Sequence, residues 1–135
     1  VYSEDQEYGG PYSTVISAWL NNVKNNEPLR LDGDGSQTRD FIHVDDIVDA
    51  NIHCMNYSNN FNGEIYEVGT GCSQSLLEIK KYFDSVFDVE WDIQNERHGD
   101  IKHSKANIKK INNIGWYSKI DLKAGLRRCI KNIQC

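Results

Sequence analysis

The sequence predicts a mixed α/β (α+β) fold of short strands and several helices. Three observations carry that prediction. Segments with apolar residues at helical spacing alternate with short apolar or period-two runs. Glycine, asparagine and proline punctuate the junctions between them. With 39% hydrophobic and 26% charged residues, the 135 residues read as one domain, 1–135, long enough to bury a core.

Taken in order, Tyr2 to Tyr12 is polar and glycine-rich, and Gly9-Gly10-Pro11 marks a loop. From Ser13, the apolar residues Val15, Ile16, Trp19, Leu20 and Val23 fall on one helical face, which should end near Asn25-Asn26, before Pro28. Leu29-Arg30-Leu31 is a short strand leading into a tight glycine turn at Asp32-Gly33-Asp34-Gly35. Phe41-Ile42-His43-Val44 reads as an apolar strand. Asp45 and Asp46 then open a helix carrying Ile47, Val48, Ile52 and Met55. Asn59 to Gly63 is a polar loop, and Ile65-Tyr66-Glu67-Val68 a strand closed by Gly69 and Gly71.

The second half repeats the alternation. Ser75 and Glu78 have capping-box spacing ahead of the stripe Leu76, Ile79, Phe83 and Val86. Val89, Trp91 and Ile93 alternate with polar residues, as in a half-buried strand. Asn95 to Lys105 carries no hydrophobic period, and a short helix is expected from about Lys105 to Asn113, closed by Gly115. Asp121 is placed to cap a last helix with Leu122, Leu126, Cys129, Ile130 and Ile133 inward.

Composition excludes some functions. A net charge of −5 argues against a general binder of nucleic acid or membrane surfaces, because such binding needs concentrated Lys and Arg. No apolar run approaches a membrane span, and no basic segment followed by an apolar stretch opens the sequence. Cys54, Cys72, Cys129 and Cys135 are scattered without a CxxC pair. Reduced thiols in a cytoplasmic protein are therefore expected, with Cys135 exposed, and zinc ligation is not.

The stretch with most chemistry in it is Gly33 to Asp46, GDGSQTRDFIHVDD. An arginine held by a loop beside a strand can present its planar fork to phosphate oxygens. Arg39 could equally pair with Asp40 or another neighbouring carboxylate, and spacing alone leaves both readings open. A calcium loop at DGDG fails on spacing, since glycine falls at loop position 4 instead of 6 and His43 stands where the bidentate glutamate belongs. His-Val-Asp-Asp is expected to start a helix, not to hold a metal.

Five pieces of the chain, in order, carry a family resemblance: Val1-Tyr2; the run from Pro11 to Ile52 with GDGSQTRDFIHVDD inside it; GEIYEVGTG; Glu96-Arg97-His98-Gly99-Asp100; and Lys102 to Trp116 with Ile114-Gly115-Trp116. Together they resemble the C-terminal substrate-binding domain of NAD-dependent nucleotide-sugar epimerases and dehydratases, extended short-chain dehydrogenase/reductases of the UDP-glucose 4-epimerase type. The resemblance implies a substrate role for five residues. Those matching Arg39 and Arg97 approach the substrate diphosphate, the one matching Asp100 hydrogen-bonds the ribose, and the strand from Leu29 to Leu31, with the residue after it, lines the base. His43 is structural by the same comparison, and no catalytic residue is assigned.

The chain also departs from the family pattern. Asp32 stands where an aromatic residue is common, His98 replaces a proline, Glu67 replaces an asparagine, and Ser3 to Gln6 are unusually acidic. The family's chemistry needs NAD(P) on a GxxGxxG loop and a YxxxK pair, and neither motif occurs in these 135 residues. The implied partners are a nucleotide sugar, most simply a UDP-sugar, and an N-terminal Rossmann domain on the same or a separate polypeptide that carries the cofactor. A homo-oligomer is open, and no nucleic-acid or membrane partner is expected. Two other functions stay open: a stand-alone, non-enzymatic binding module, and a different carbohydrate-active enzyme using Asp and Glu pairs, of which none stands out.

Overall fold

The computed structural model describes residues 1–8 and 13–134. The expected Gly9-Gly10-Pro11 loop and the chain-terminal Cys135 lie outside the described residues. Among the described residues, five helices and four short strands follow one another as α1 (Val15–Asn25), β1 (Leu29–Asp32), β2 (Thr38–Arg39), α2 (Val44–Met55), β3 (Gln74–Ser75), α3 (Leu76–Val86), β4 (Trp91–Gln94), α4 (Lys109–Asn112) and α5 (Leu122–Gln134). The mixed α/β class expected from the alternating pattern is the one observed.

Local chemistry accounts for the helix ends. Thr14 and Ser17 form a reciprocal capping box at α1, which closes where Asn26 takes the left-handed conformation, φ 55°. At α3 the Ser75 hydroxyl accepts the Glu78 N–H at 3.2 Å, and the Glu78 carboxylate accepts the Ser75 N–H at 2.8 Å. The Asp121 carboxylate accepts the Ala124 N–H at 2.8 Å at the start of α5. Gly33 and Gly35 take φ 77° and 76°, as the tight turn requires.

Two short sheets result. β1 and β4 run parallel, with Leu29 opposite Trp91 and Asp32 opposite Gln94. β2 and β3 pair antiparallel, Thr38 with Ser75 and Arg39 with Gln74. The larger core lies between β1, α1, α3 and α5 and includes Trp19, Leu29, Leu31, Ile79, Phe83 and Leu126. Trp19 meets Phe83 and Trp91 edge-on, at 5.4 and 4.8 Å between centroids. A smaller core holds Ile42, Ala50, Ile111 and Trp116. Burial pushes the Cys129 thiol in the larger core up to about 11.

Several sequence expectations are corrected. Phe41 to Val44 is not a strand: Val44 already begins α2, and its pairing is one parallel bridge between Tyr2 and His43. Ile65 to Val68 is not a strand either, because no described strand lies alongside it, and Ile65 is 85% exposed. α4 is shorter than 105–113, since Ile108 is its N-cap. β4 is half-buried only at Trp91, with Ile93 exposed. In α2 the inward residues are Asp46 and Ala50, with Ile47 partly buried against the smaller core, whereas Val48, Ile52 and Met55 face outward. Tyr2, in a stretch read as polar, is a core residue.

The Tyr2 hydroxyl is buried with no hydrogen-bond partner among the described residues. It sits over Gly125 of α5, where an added Cβ would collide with it. Tyr2→Phe is therefore expected to leave the thermal midpoint unchanged or raise it, whereas Gly125→Ala should cost about 1–3 kcal/mol through overpacking. A Tyr2→Phe variant that melts well below wild type would refute the unpartnered hydroxyl.

The α3 cap predicts a pH dependence. Its hydrogen bonds from Ser75, the backbone N–H first, hold the Glu78 carboxyl below its ordinary value of 4.5. A depressed folded pKa means that the cap's contribution is complete above that ordinary value and is lost as pH falls through the lowered one. Ser75→Ala should cost about 1 kcal/mol in urea unfolding at pH 7. Its gap to wild type should narrow under acid conditions, and a gap constant with pH would contradict the assignment.

Candidate functional site

The site begins with Asp40, which follows directly after β2. Its carboxylate accepts the Thr70 N–H at 3.0 Å, the Thr70 hydroxyl at 2.5 Å, the Gly71 N–H at 2.9 Å and the Ala106 N–H at 3.3 Å. One anion thus fixes two separate loops against β2 by charge-assisted bonds. Gly69 permits this approach, since a Cβ there would collide with Ala106 and lie 2.8 Å from the Asp40 carboxylate. On the far side of β2, Lys102 to Ser104 runs alongside Thr38: the Thr38 N–H donates to the Lys102 carbonyl at 2.8 Å, and the Ser104 N–H to the Thr38 carbonyl at 3.0 Å.

That frame places Arg39 and Asp100 face to face. Arg39 Nη2 donates to Asp100 Oδ1 at 2.8 Å and Nη1 to the Thr38 carbonyl at 2.9 Å. Both side chains are partly buried. The neighbouring wall comes from β1. Leu29 and Leu31 turn into the core, so Arg30 and Asp32 turn outward together. Asp32 Oδ1 accepts from Arg30 Nε at 2.8 Å, and its Oδ2 lies 2.5 Å from Arg97 Nε. The hydrogen bond to Asp32 holds the Arg30 guanidinium above its ordinary range. These residues line an open cleft of about 570 Å³ that also takes in Gln37 and Trp19.

Of the residues singled out in the sequence, the fold brings Arg39, Arg97 and Asp100 together in this cleft. It does not bring the side chains of Leu29 and Leu31 to them; those are 0% and 3% exposed in the core. Arg39 pairs with Asp100, not with Asp40, whose oxygens are taken up by the 70–71 and 106 loops. The rest of the signature is structural. His43 is fully buried, accepts the Asp45 N–H at 3.2 Å to cap α2, and donates from Nε2 to Glu4 at 3.0 Å. Asp46 accepts the N–H groups of Lys119 and Ile120, each at 3.0 Å. No group of three or more metal-ligating side chains occurs among the described residues. Sequence reading missed Arg30 as a cleft-lining residue and Asp40 as the loop anchor. Strand alternation could have found Arg30, since two inward leucines force the residue between them outward.

The model of the NAD dependent epimerase/dehydratase family matches residues 1–69, just over half of the chain. The chain belongs to that family. A candidate UDP-glucose 4-epimerase of Methanocaldococcus jannaschii is 35% identical over 135 residues, covering 96% of this chain and 42% of that protein. The UDP-N-acetylglucosamine 4-epimerase of Methanobrevibacter ruminantium, solved with UDP-N-acetylmuramic acid, superposes with a TM-score of 0.86 at 30% identity, over 98% of this chain and 43% of its own. The UDP-glucose 4-epimerase of Thermotoga maritima, solved with UDP-glucose, gives 0.86 at 27% identity with the same coverage of 98% and 43%. This epimerase/dehydratase-family chain thus spans less than half the length of the relatives it matches, and no helix among its described residues is long and apolar enough to cross a membrane.

Asp40→Ala is expected to destabilise the protein by on the order of 3 kcal/mol or more, because it strands several loop donors at once. Asp40→Asn, which keeps an acceptor oxygen, should cost less. Urea unfolding of both measures this, and a loss below about 1 kcal/mol for the alanine variant would show that the loops do not depend on this carboxylate.

Proposed function

We propose that this chain binds the nucleoside-diphosphate part of a nucleotide sugar, most simply a UDP-sugar, on behalf of an NAD-dependent epimerase or dehydratase. The observation that carries this reading is the convergence of Arg39, Arg97 and Asp100 from separated stretches on one cleft. Two guanidiniums on different loops can neutralise a diphosphate from two sides, while a carboxylate accepts from vicinal ribose hydroxyls. The UDP-sugars held by the solved relatives agree in ligand class.

The family uses NAD, and the Gly69-Thr70-Gly71 loop does not fit that cofactor's pyrophosphate. A pyrophosphate loop needs free backbone N–H groups at a helix N-terminus. In the Gly69-Thr70-Gly71 loop, the N–H groups of Thr70 and Gly71 already donate to Asp40. The hydride chemistry of the family then falls to a nucleotide-binding half. The outward face of α2 supports such a partner. Val48, Ile52 and Met55 are 51%, 52% and 83% exposed at helical spacing, and the segment 65–68 pairs with no described strand.

Isothermal titration with UDP and UDP-glucose tests the binding role. Heat is expected from the folded protein, and Arg39→Ala or Arg97→Ala should each weaken binding by about 1.5–3 kcal/mol. Absence of heat at millimolar ligand with the fold intact would remove the reading. Wild-type affinity in both variants would remove the two arginines from it.

A further inference from the structure

Resting on the diphosphate reading above, we propose that Arg30 is a further anion-contacting residue of the cleft and that Asp32 is the positioning residue holding Arg30 and Arg97 in place. The argument starts with β1. Leu29 and Leu31 anchor the strand in the core at 0% and 3% exposure, so Arg30 and Asp32 leave it on the cleft side. Gln37 fixes the strand end by donating from Nε2 to the Asp32 carbonyl at 2.8 Å. The Asp32 carboxylate then takes one guanidinium on each oxygen, Arg30 at 2.8 Å and Arg97 at 2.5 Å.

Depth decides what this arrangement does. The Asp32 side chain is 12% exposed, against 57% for Arg30 and 66% for Arg97. The carboxylate therefore lies beneath the two guanidiniums, not between them and an arriving ligand. Its nearest approach to each is at Nε, by a hydrogen bond to Arg30 and an ion pair with Arg97. A competing plug would sit on the ligand side and would hold the terminal groups. A guanidinium tethered at Nε keeps its terminal nitrogens for a phosphate oxygen and has less rotamer freedom left to lose on binding. The cleft then offers Arg30, Arg39 and Arg97 to an anion, with Asp32 acting from below.

The test is titration with UDP of wild type, Arg30→Ala, Asp32→Asn and Asp32→Glu, with thermal unfolding to confirm that each is folded. Arg30→Ala and Asp32→Asn should each raise Kd about fivefold or more, and the Arg30→Ala/Asp32→Asn pair should lose less than the product of the two. Asp32→Glu, which keeps the charge, should recover part of the loss, a recovery that a purely structural role at this position would not produce. The proposal is overturned if Arg30→Ala and Asp32→Asn bind within about twofold of wild type while Arg39→Ala and Arg97→Ala are weakened, an outcome that leaves the diphosphate reading standing. Tighter binding by Asp32→Asn would make Asp32 a competitor and overturn it in the opposite direction. No UDP binding by wild type would remove both proposals together.

Discussion

The cleft depends on the solvation of a single carboxylate. A partly buried anion needs donors, and Asp40 finds them on backbone that would otherwise need water or partners of its own. The loops at 69–71 and 104–106 contribute no regular secondary structure at that point. Their positions relative to β2 come from hydrogen bonds to one side chain. Arg39 is the preceding residue, so its direction into the cleft and its distance from Asp100 are set by the same anchor.

Asp46 repeats this device at the other side of the signature. It is 1% exposed and binds the backbone at 119 and 120 ahead of α5. Asp49 holds the Trp116 indole N–H at 2.9 Å and the Lys119 ammonium at 2.7 Å, and its carboxyl is held below the ordinary range, first by Lys119 and then by Trp116. The acidic residues of this stretch thus act as loop fasteners, Asp40 on the 70–71 and 106 loops and Asp46 with Asp49 on the segment from Trp116 to Ile120. Arg39 is the cation of the segment that lines the cleft, beside Gln37, Asp40 and Phe41.

Much of the fold was legible because its signals are local. The capping box at Ser75, the Asp121 cap, the stop at Asn26 before Pro28 and the apolar stripes of α1 and α3 depend on residues within a turn or two of each other. What failed depended on distant neighbours. A strand needs a partner, and the β-like pattern at Ile65 to Val68 has none beside it among the described residues. The apolar periodicity of α2 was real, but the direction of its stripe is decided by Asp46 and Ala50 packing inward. At the site, Arg39, Arg97 and Asp100 were reached through family resemblance, because no local rule ties residues that far apart. Arg30 needed only the alternation of its own strand.

The parallel pairing of β1 with β4 has a consequence in time as well as in space. Its partners lie about 60 positions apart along the chain, from Leu29 to Trp91, and Arg39 and Asp100 are separated by 61. Contacts of such range close late, because loop entropy must be overcome before they yield any energy. The helices can form early around their own caps, yet a chain at that stage would hold no trace of the cleft. If the chain binds as proposed, ligand affinity is therefore a report on completed folding, appearing only when the last long-range register is in place.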